Sequence, residues 1–269
     1  MPVRDRLPSP RPAVAYGRGR DVKGRLFVTP DADDPDRATL DAAATRHLRA
    51  LRLSPGDAVC AIVGPARERA ATVVALVRDH AVLALHEELP PPDRDPRRPR
   101  VLAIALADPA RLDVVVEKAT ELGATAIQPF VAARSQTRTL PATRLDRWQR
   151  IARAACEQCG RTVVPEIRPC IPFDALVATL GRGGTTWLLE PARPEAAARG
   201  TGPSSAGALP VPGDGGLTVV VGPEGGIDPE ETDRLRGAGA QPLTLGARVL
   251  RFETAAIAAL AVALLHAPD

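Results

Sequence analysis

Hydrophobic positions change their rhythm along the chain near residue 90. Before it they come in short, closely spaced runs: Arg25-Leu-Phe-Val28, Asp57-Ala-Val-Cys-Ala-Ile-Val63, and the alternating segments Ala71–Leu76 and Ala81–Leu85. Runs of this length bounded by turn residues predict short strands, and strands this close together predict a small β-barrel. Between the first two, Ala42 to Leu53 predicts a short helix ended by the turn Ser54-Pro-Gly-Asp57.

After residue 100 strands alternate with helices. The fully apolar Val101-Leu-Ala-Ile-Ala-Leu106 suits a strand buried on both faces. Asp108 followed by Pro109 reads as a helix cap, and Leu112, Val115, Val116, Ala119 and Leu122 form one apolar stripe that Gly123 ends. A strand from Ala126 to Val131 and an amphipathic helix from Arg144 to Cys159 follow. Thr185–Leu189, Leu217–Val221 and Gln241–Leu245 are three more strand candidates, the last leading into an alanine-rich helix from about Glu253 to His266. This is α/β organisation with a parallel sheet.

The two patterns meet at Pro90-Pro-Pro-Asp-Arg-Asp-Pro-Arg-Arg-Pro99, whose five prolines predict an extended linker. The expected organisation is therefore a disordered arm at 1–23, a β-barrel domain at 24–92 and an α/β domain at 97–269. Residues 191–216, rich in Pro, Ala, Gly and Ser, are expected to form a mobile loop within the last.

With 45% apolar and 25% charged residues among 269, and a mean hydropathy of −0.06, disorder is excluded as the dominant state. No uncharged apolar run approaches the roughly 18 residues of a membrane span, and the N-terminus lacks a signal-type stretch, so the expected location is the cytoplasm. Cys156-Glu-Gln-Cys159 has no second pair to complete a metal site, and no metal is expected. The net charge is only +3, yet residues 134–153 carry six arginines against Asp146, and Lys23 and Lys118 are the only lysines. Arginine suits bidentate phosphate contact; a GC-rich genome produces the same bias, so charge alone leaves nucleic acid open.

Three local sequences carry candidate chemistry. In Val221-Gly-Pro-Glu-Gly-Gly226 a buried strand ends in a glycine loop, and Asp228-Pro-Glu-Glu231 opens a helix with a capping box. The loop is neither a dinucleotide fingerprint nor a P-loop, and Glu224 repels phosphate, so hydroxyls or a cationic ligand fit better. A tight turn with positive φ at Gly225 and Gly226 is the plain structural alternative. In Leu245-Gly-Ala-Arg-Val-Leu-Arg-Phe-Glu-Thr-Ala255 a second glycine loop offers Arg248, Arg251, Glu253 and Thr254; an exposed ion pair with Thr254 as a cap is the alternative there. Two such loops in one half point to a shared pocket at strand ends. Third, Glu157-Gln-Cys-Gly-Arg161 closes a helix around a glycine cap, with Cys156 and Cys159 placed as core thiols.

Taken in order, Lys118-Ala-Thr-Glu-Leu-Gly123, Glu157-Gln-x-Gly-Arg161, Gly222-Pro-Glu-Gly-Gly226 and Leu245-Gly-x-Arg-x-Leu-Arg-x-Glu-Thr-Ala255 resemble the RsmE family of ribosomal RNA small-subunit uridine-N3 methyltransferases, in the SPOUT superfamily. The resemblance spans residues 24–266, because Arg25–Val28 and His47–Asp57 are similar to the family's PUA-like N-terminal domain. Cys159 stands where serine is common, Phe252 replaces a small or polar residue, and the 191–216 loop is long.

The resemblance implies a C-terminal trefoil-knotted parallel sheet, an exception to the no-knot rule, acting as a homodimer on 16S rRNA or the small ribosomal subunit with S-adenosylmethionine as cofactor. It implies cofactor contacts at Leu189, Gly222, Gly225, Gly226, Leu245, Gly246, Leu250, Glu253 and Thr254, and RNA contacts at Arg25, His47, Arg134, Gln158 and Arg161. Methylation at N3 requires loss of the imide proton. Arg251 is the candidate for stabilising the developing uridinate and Glu224 for taking the proton, with Glu253 as the other carboxylate in reach of that role. Because N3 lies on the pairing edge, the target uridine must be unpaired. Two other readings share the sequence features: ribose 2′-O-methylation, and RNA binding without catalysis.

Overall fold

The structure, a computed structural model, describes residues 22–181, 184–191, 204–205 (backbone only) and 215–266. Most of the expected arm and most of the 191–216 loop thus lie outside the described residues. The chain divides into two compact units, Met1–Pro91 and Pro92–Asp269.

In the first unit β1 (Arg25–Phe27), β2 (Arg37–Leu40), α1 (Ala42–Ala50), β3 (Ala58–Gly64), β4 (Arg67–Leu76) and β5 (Ala81–Glu88) follow in order. The strands form one five-stranded sheet, β1-β3-β4-β5-β2, antiparallel except for the β1–β3 pair. Register shifts at Ile62/Gly64 and Val73/Ala75 add the local twist that curls the sheet into a half-barrel around Leu26, Leu48, Val59, Val73 and Leu83. β2 was not foreseen. The helix ends at Ala50 rather than Leu53, because Arg52 turns to φ 57° and the Leu53 N–H reaches back to the Leu48 carbonyl at 3.1 Å, which seats Leu53 in the core.

The second unit holds β6 (Arg100–Ala105), α2 (Pro109–Glu121), β7 (Ala126–Val131), α3 (Ala142–Cys159), β8 (Glu166–Ile167), β9 (Ile171–Pro172), α4 (Phe173–Thr179), β10 (Thr185–Leu189), β11 (Ser204–Ser205), β12 (Leu217–Val221), α5 (Pro229–Gly237), β13 (Gln241–Thr244) and α6 (Phe252–His266). All its strand pairs are parallel, in the order β11-β13-β10-β12-β6-β7-β8, with β9 also beside β7. Helices cover both faces, so successive residues of one strand enter different cores. Val219 packs with α2, α3 and α6 around Trp148 and Trp187, whereas Val220 packs with α4 and α5 around Phe130 and Phe173.

The local signals for α2 and α5 are realised. Asp108 accepts from the Ala110 and Arg111 N–H groups with Pro109 in the first turn, and Asp228 and Glu231 close a reciprocal capping box. The proline-rich segment is not free along its length: Asp95 accepts hydrogen bonds from the Thr162 and Val163 N–H groups and from the Thr162 hydroxyl, docking it where α3 ends. No helix among the described residues is long and apolar enough to cross a membrane.

Candidate active site

Three neighbouring parallel strands, β12, β10 and β13, end on one side of the sheet, and the chain leaving each of them borders a cleft of about 370 Å³. The walls are Leu189 and Glu190 after β10, Gly222 to Ile227 after β12, and Leu245 to Phe252 after β13, with Arg111 and Arg134 at the rim. Of the cofactor residues expected from sequence, Leu189, Gly222, Gly225, Gly226, Leu245, Gly246 and Leu250 line this cleft. Glu253 and Thr254 do not: they stand in the first turn of α6, Thr254 exposed and Glu253 half-buried.

The glycines serve different ends. Gly226 and Gly246 have φ values of 72° and 88°, and a Cβ on either would meet nothing within 4 Å, so their backbone is required by conformation and faces open space. Gly225, expected to share the positive φ, does not have it; its Cβ would sit 3.4 Å from Arg134 Cβ. At Gly222 a Cβ would lie 2.7 Å from Ile227 Cγ1, which makes this a packing position.

Arg134 braces the first loop, its Nη1 donating to the Gly225 carbonyl at 3.2 Å and its Nη2 to Asp228 Oδ2 at 3.1 Å. Behind it Glu231 accepts from the Ala133 N–H at 2.8 Å, so the segment after β7 and the start of α5 hold the loop together. Glu190 is pinned by a fork from Arg236, with three contacts of 2.7 to 3.1 Å. Glu224 Oε1 accepts from the Asp108 N–H at 3.3 Å and lies 3.8 Å from Arg111 Nη1. The same nitrogen lies 3.9 Å from Glu253 Oε2, a buried oxygen with no hydrogen-bond partner. Arg111 went unnoticed in the sequence, where the cap, the apolar stripe and the C-terminal motif of its helix carried the signal.

Of the residues expected to contact RNA, Arg25 and His47 belong to the first unit and Arg134, Gln158 and Arg161 to the second. Arg161 is a correction: it is only 3% exposed, and its Nη1 donates to the Thr120 and Ala124 carbonyls at 2.8 Å each, so its guanidinium holds the fold and is not offered to phosphate. Arg25 pairs with the buried Glu68 carboxylate. Gln158 is exposed near the end of α3, and His47 is half-buried on α1. The arginine strip is also largely engaged within the chain: Arg138 donates to the Ala132 and Ala133 carbonyls, and Arg144 and Arg147 both hold Asp113, which also receives the Trp148 indole N–H. Burial pushes the Cys156 thiol up to about 12, as expected of a core position.

The chain is similar to known RNA methyltransferases. Residues 94–264 match the RNA methyltransferase domain family. The chain is 32% identical over 238 residues to the ribosomal RNA small subunit methyltransferase E of Synechocystis sp., an alignment covering 88% of this chain and 76% of that relative. With the protein of the same name from Mycobacterium tuberculosis it shares 36% identity over 174 residues, covering 61% and 63%. The crystal structure of the Neisseria gonorrhoeae ribosomal RNA small subunit methyltransferase E bound to S-adenosyl methionine superposes with a TM-score of 0.78 at 30% identity, covering 90% of this chain and 97% of that one.

Proposed function

The chain belongs to the ribosomal RNA small subunit methyltransferase E family, and on that premise we propose that it transfers a methyl group from S-adenosylmethionine to N3 of a specific uridine in 16S rRNA. The observation that carries this reading is the meeting of both glycine loops and the end of β10 around one cleft. Its walls fit the cofactor: backbone at Gly226 and Gly246 faces open space, and the carboxylate of Glu224 suits a cationic or hydroxyl-bearing ligand rather than a phosphate.

When bound, S-adenosylmethionine supplies an activated methyl group. The chain's residues hold it and prepare the base. Leu189, Gly222, Gly225, Gly226, Leu245, Gly246 and Leu250 form the cradle, with Glu253 and Thr254 supporting it from the start of α6. Arg251, exposed and on the cleft wall, stabilises negative charge at O2 or O4 as the imide proton leaves. Glu224 lines the cleft and Glu253 does not, which favours Glu224 as the proton acceptor.

Residues 24–92 act as a PUA-like RNA-binding domain and 97–269 as a SPOUT domain knotted at its C-terminal end, in a chain that works in the cytoplasm. His47, Gln158 and Arg134 remain candidates for RNA contact. The enzyme is a homodimer: from Ala255 to Leu265 α6 is apolar on every side, and Leu265 is 80% exposed, a face that a second copy would cover.

The test is incubation with labelled S-adenosylmethionine and small ribosomal subunits lacking the modification, followed by digestion and nucleoside mass spectrometry. Label in 3-methyluridine is expected. Label in a 2′-O-methylnucleoside would replace the N3 assignment, and no label beside an active control enzyme would overturn the catalytic reading.

A further inference from the structure

We propose that Arg111 is a positioning residue of the methyl-donor cleft, a single guanidinium set between the carboxylates of Glu224, in the first glycine loop, and Glu253, at the start of α6 after the second, and so fixing the separation of the two segments. The inference rests on the cofactor reading above and adds to it a residue that belongs to neither loop.

Four observations converge on Arg111. Its Nη1 lies 3.8 Å from Glu224 Oε1 and 3.9 Å from Glu253 Oε2. Glu253 Oε2 is buried without a hydrogen bond, and its ion-pair partner among the described residues is Arg111, so the charge that makes its burial tolerable comes from there. Arg111 stands in the first turn of α2, the positive end of the helix dipole, where a cation is disfavoured unless something else holds it. The Asp108 N–H, from the cap of the same helix, donates to Glu224 at 3.3 Å, so the α2 terminus reaches the first loop by two routes.

Both ion pairs lie within Coulombic reach and beyond hydrogen-bond length. Their value is thus one of charge more than of guanidinium geometry, and lysine should replace arginine here. Without a cation the two carboxylates repel each other, a repulsion that acid relieves.

The experiment is calorimetric titration of S-adenosylhomocysteine, whose thioether carries no sulfonium charge to interact with the cluster, between pH 5 and 8. Wild-type affinity should be nearly flat. Arg111→Met should bind about tenfold more weakly at pH 8 and recover as pH falls, while Arg111→Lys stays within about threefold of wild type. Arg111→Met combined with Glu253→Gln should regain binding at pH 8, and regain folding if the single variant loses it, because the repulsion is gone. An Arg111→Met protein that binds like wild type at every pH, or is weakened equally at every pH with no rescue by lysine or by Glu253→Gln, would overturn the proposal alone. A wild-type protein that binds neither S-adenosylmethionine nor S-adenosylhomocysteine would overturn the cofactor reading and this inference with it.

Discussion

Arg161 donates through Nη1 to the carbonyl oxygen of Thr120 at 2.8 Å, and the same nitrogen reaches the Ala124 carbonyl. Thr120 is in the last turn of α2, where carbonyls lack partners within the helix. The two motifs Lys118–Gly123 and Glu157–Arg161 are therefore halves of one joint, in which the residue after the α3 cap completes the end of α2.

Arg161→Met should consequently lower stability more than RNA affinity. It leaves the Ala124 carbonyl without the guanidinium donor and the Thr120 carbonyl with the Gly123 N–H at 3.2 Å, a loss of about 1–3 kcal/mol. Urea denaturation of the C-terminal unit would show a lower midpoint, with the salt dependence of RNA binding unchanged. A weakened RNA affinity at unchanged stability would assign the side chain to the RNA after all.

Substitutions at two glycines separate conformation from crowding. Gly226→Ala meets only left-handed strain, about 1 kcal/mol, because no atom lies within 4 Å of the new methyl. Gly216→Ala has the same strain, with φ at 78°, and drives Cβ into the Pro99 carbonyl as well, so it should destabilise more. Thermal denaturation ranks the pair, and S-adenosylmethionine binding should suffer mainly at Gly226, which lines the cleft.

Arg251→Ala should cut methyl transfer about a hundredfold while leaving cofactor affinity within a few-fold, if its guanidinium acts on charge developing in the transition state. Single-turnover rates beside equilibrium binding of S-adenosylmethionine measure both. Equal losses in the two would make Arg251 a cofactor ligand.

The thiols should differ sharply in reactivity. Burial holds Cys156 at about 12 and raises Cys170, so both stay protonated at pH 8, and Cys60 is buried too. Cys159, partly exposed, should be alkylated first by iodoacetamide in the native protein, as read by peptide mass spectrometry.

Acid should weaken the N-terminal unit through specific carboxylates. The Lys23 ammonium at 2.7 Å and the Ser54 N–H hold Asp57 below its ordinary value of 3.8, and the Thr39 hydroxyl and N–H do the same for Asp31. A carboxyl that is more acidic when folded contributes stability above its unfolded value, and that contribution is lost as pH falls through the folded value. Urea midpoints should therefore decline below pH 3.8, and Asp57→Asn should start lower and decline less.

Much of the fold was legible in the chain itself, because its signals act over a few residues. The alternation in β4, the continuous apolar run in β6, the Asp108-Pro cap of α2 and the Asp228/Glu231 box of α5 each depend on neighbours within about one helical turn. The glycine loops were legible as well, since glycine takes without strain the positive φ found at Gly226 and Gly246. What stayed hidden was decided by partners far along the chain. β2, β8 and β9 are two to four residues long and exist because β5 and β7 offer them edges. Arg161 looked available for phosphate until folding placed the end of α2 against it, and Arg111 looked like an ordinary helix arginine until Glu224 came to the α2 terminus, 116 residues from Asp108 in sequence. Caps and periodicity are local physics written in adjacent residues. The partner of a long charged side chain is chosen only when the sheet closes and burial makes an unpaired charge costly.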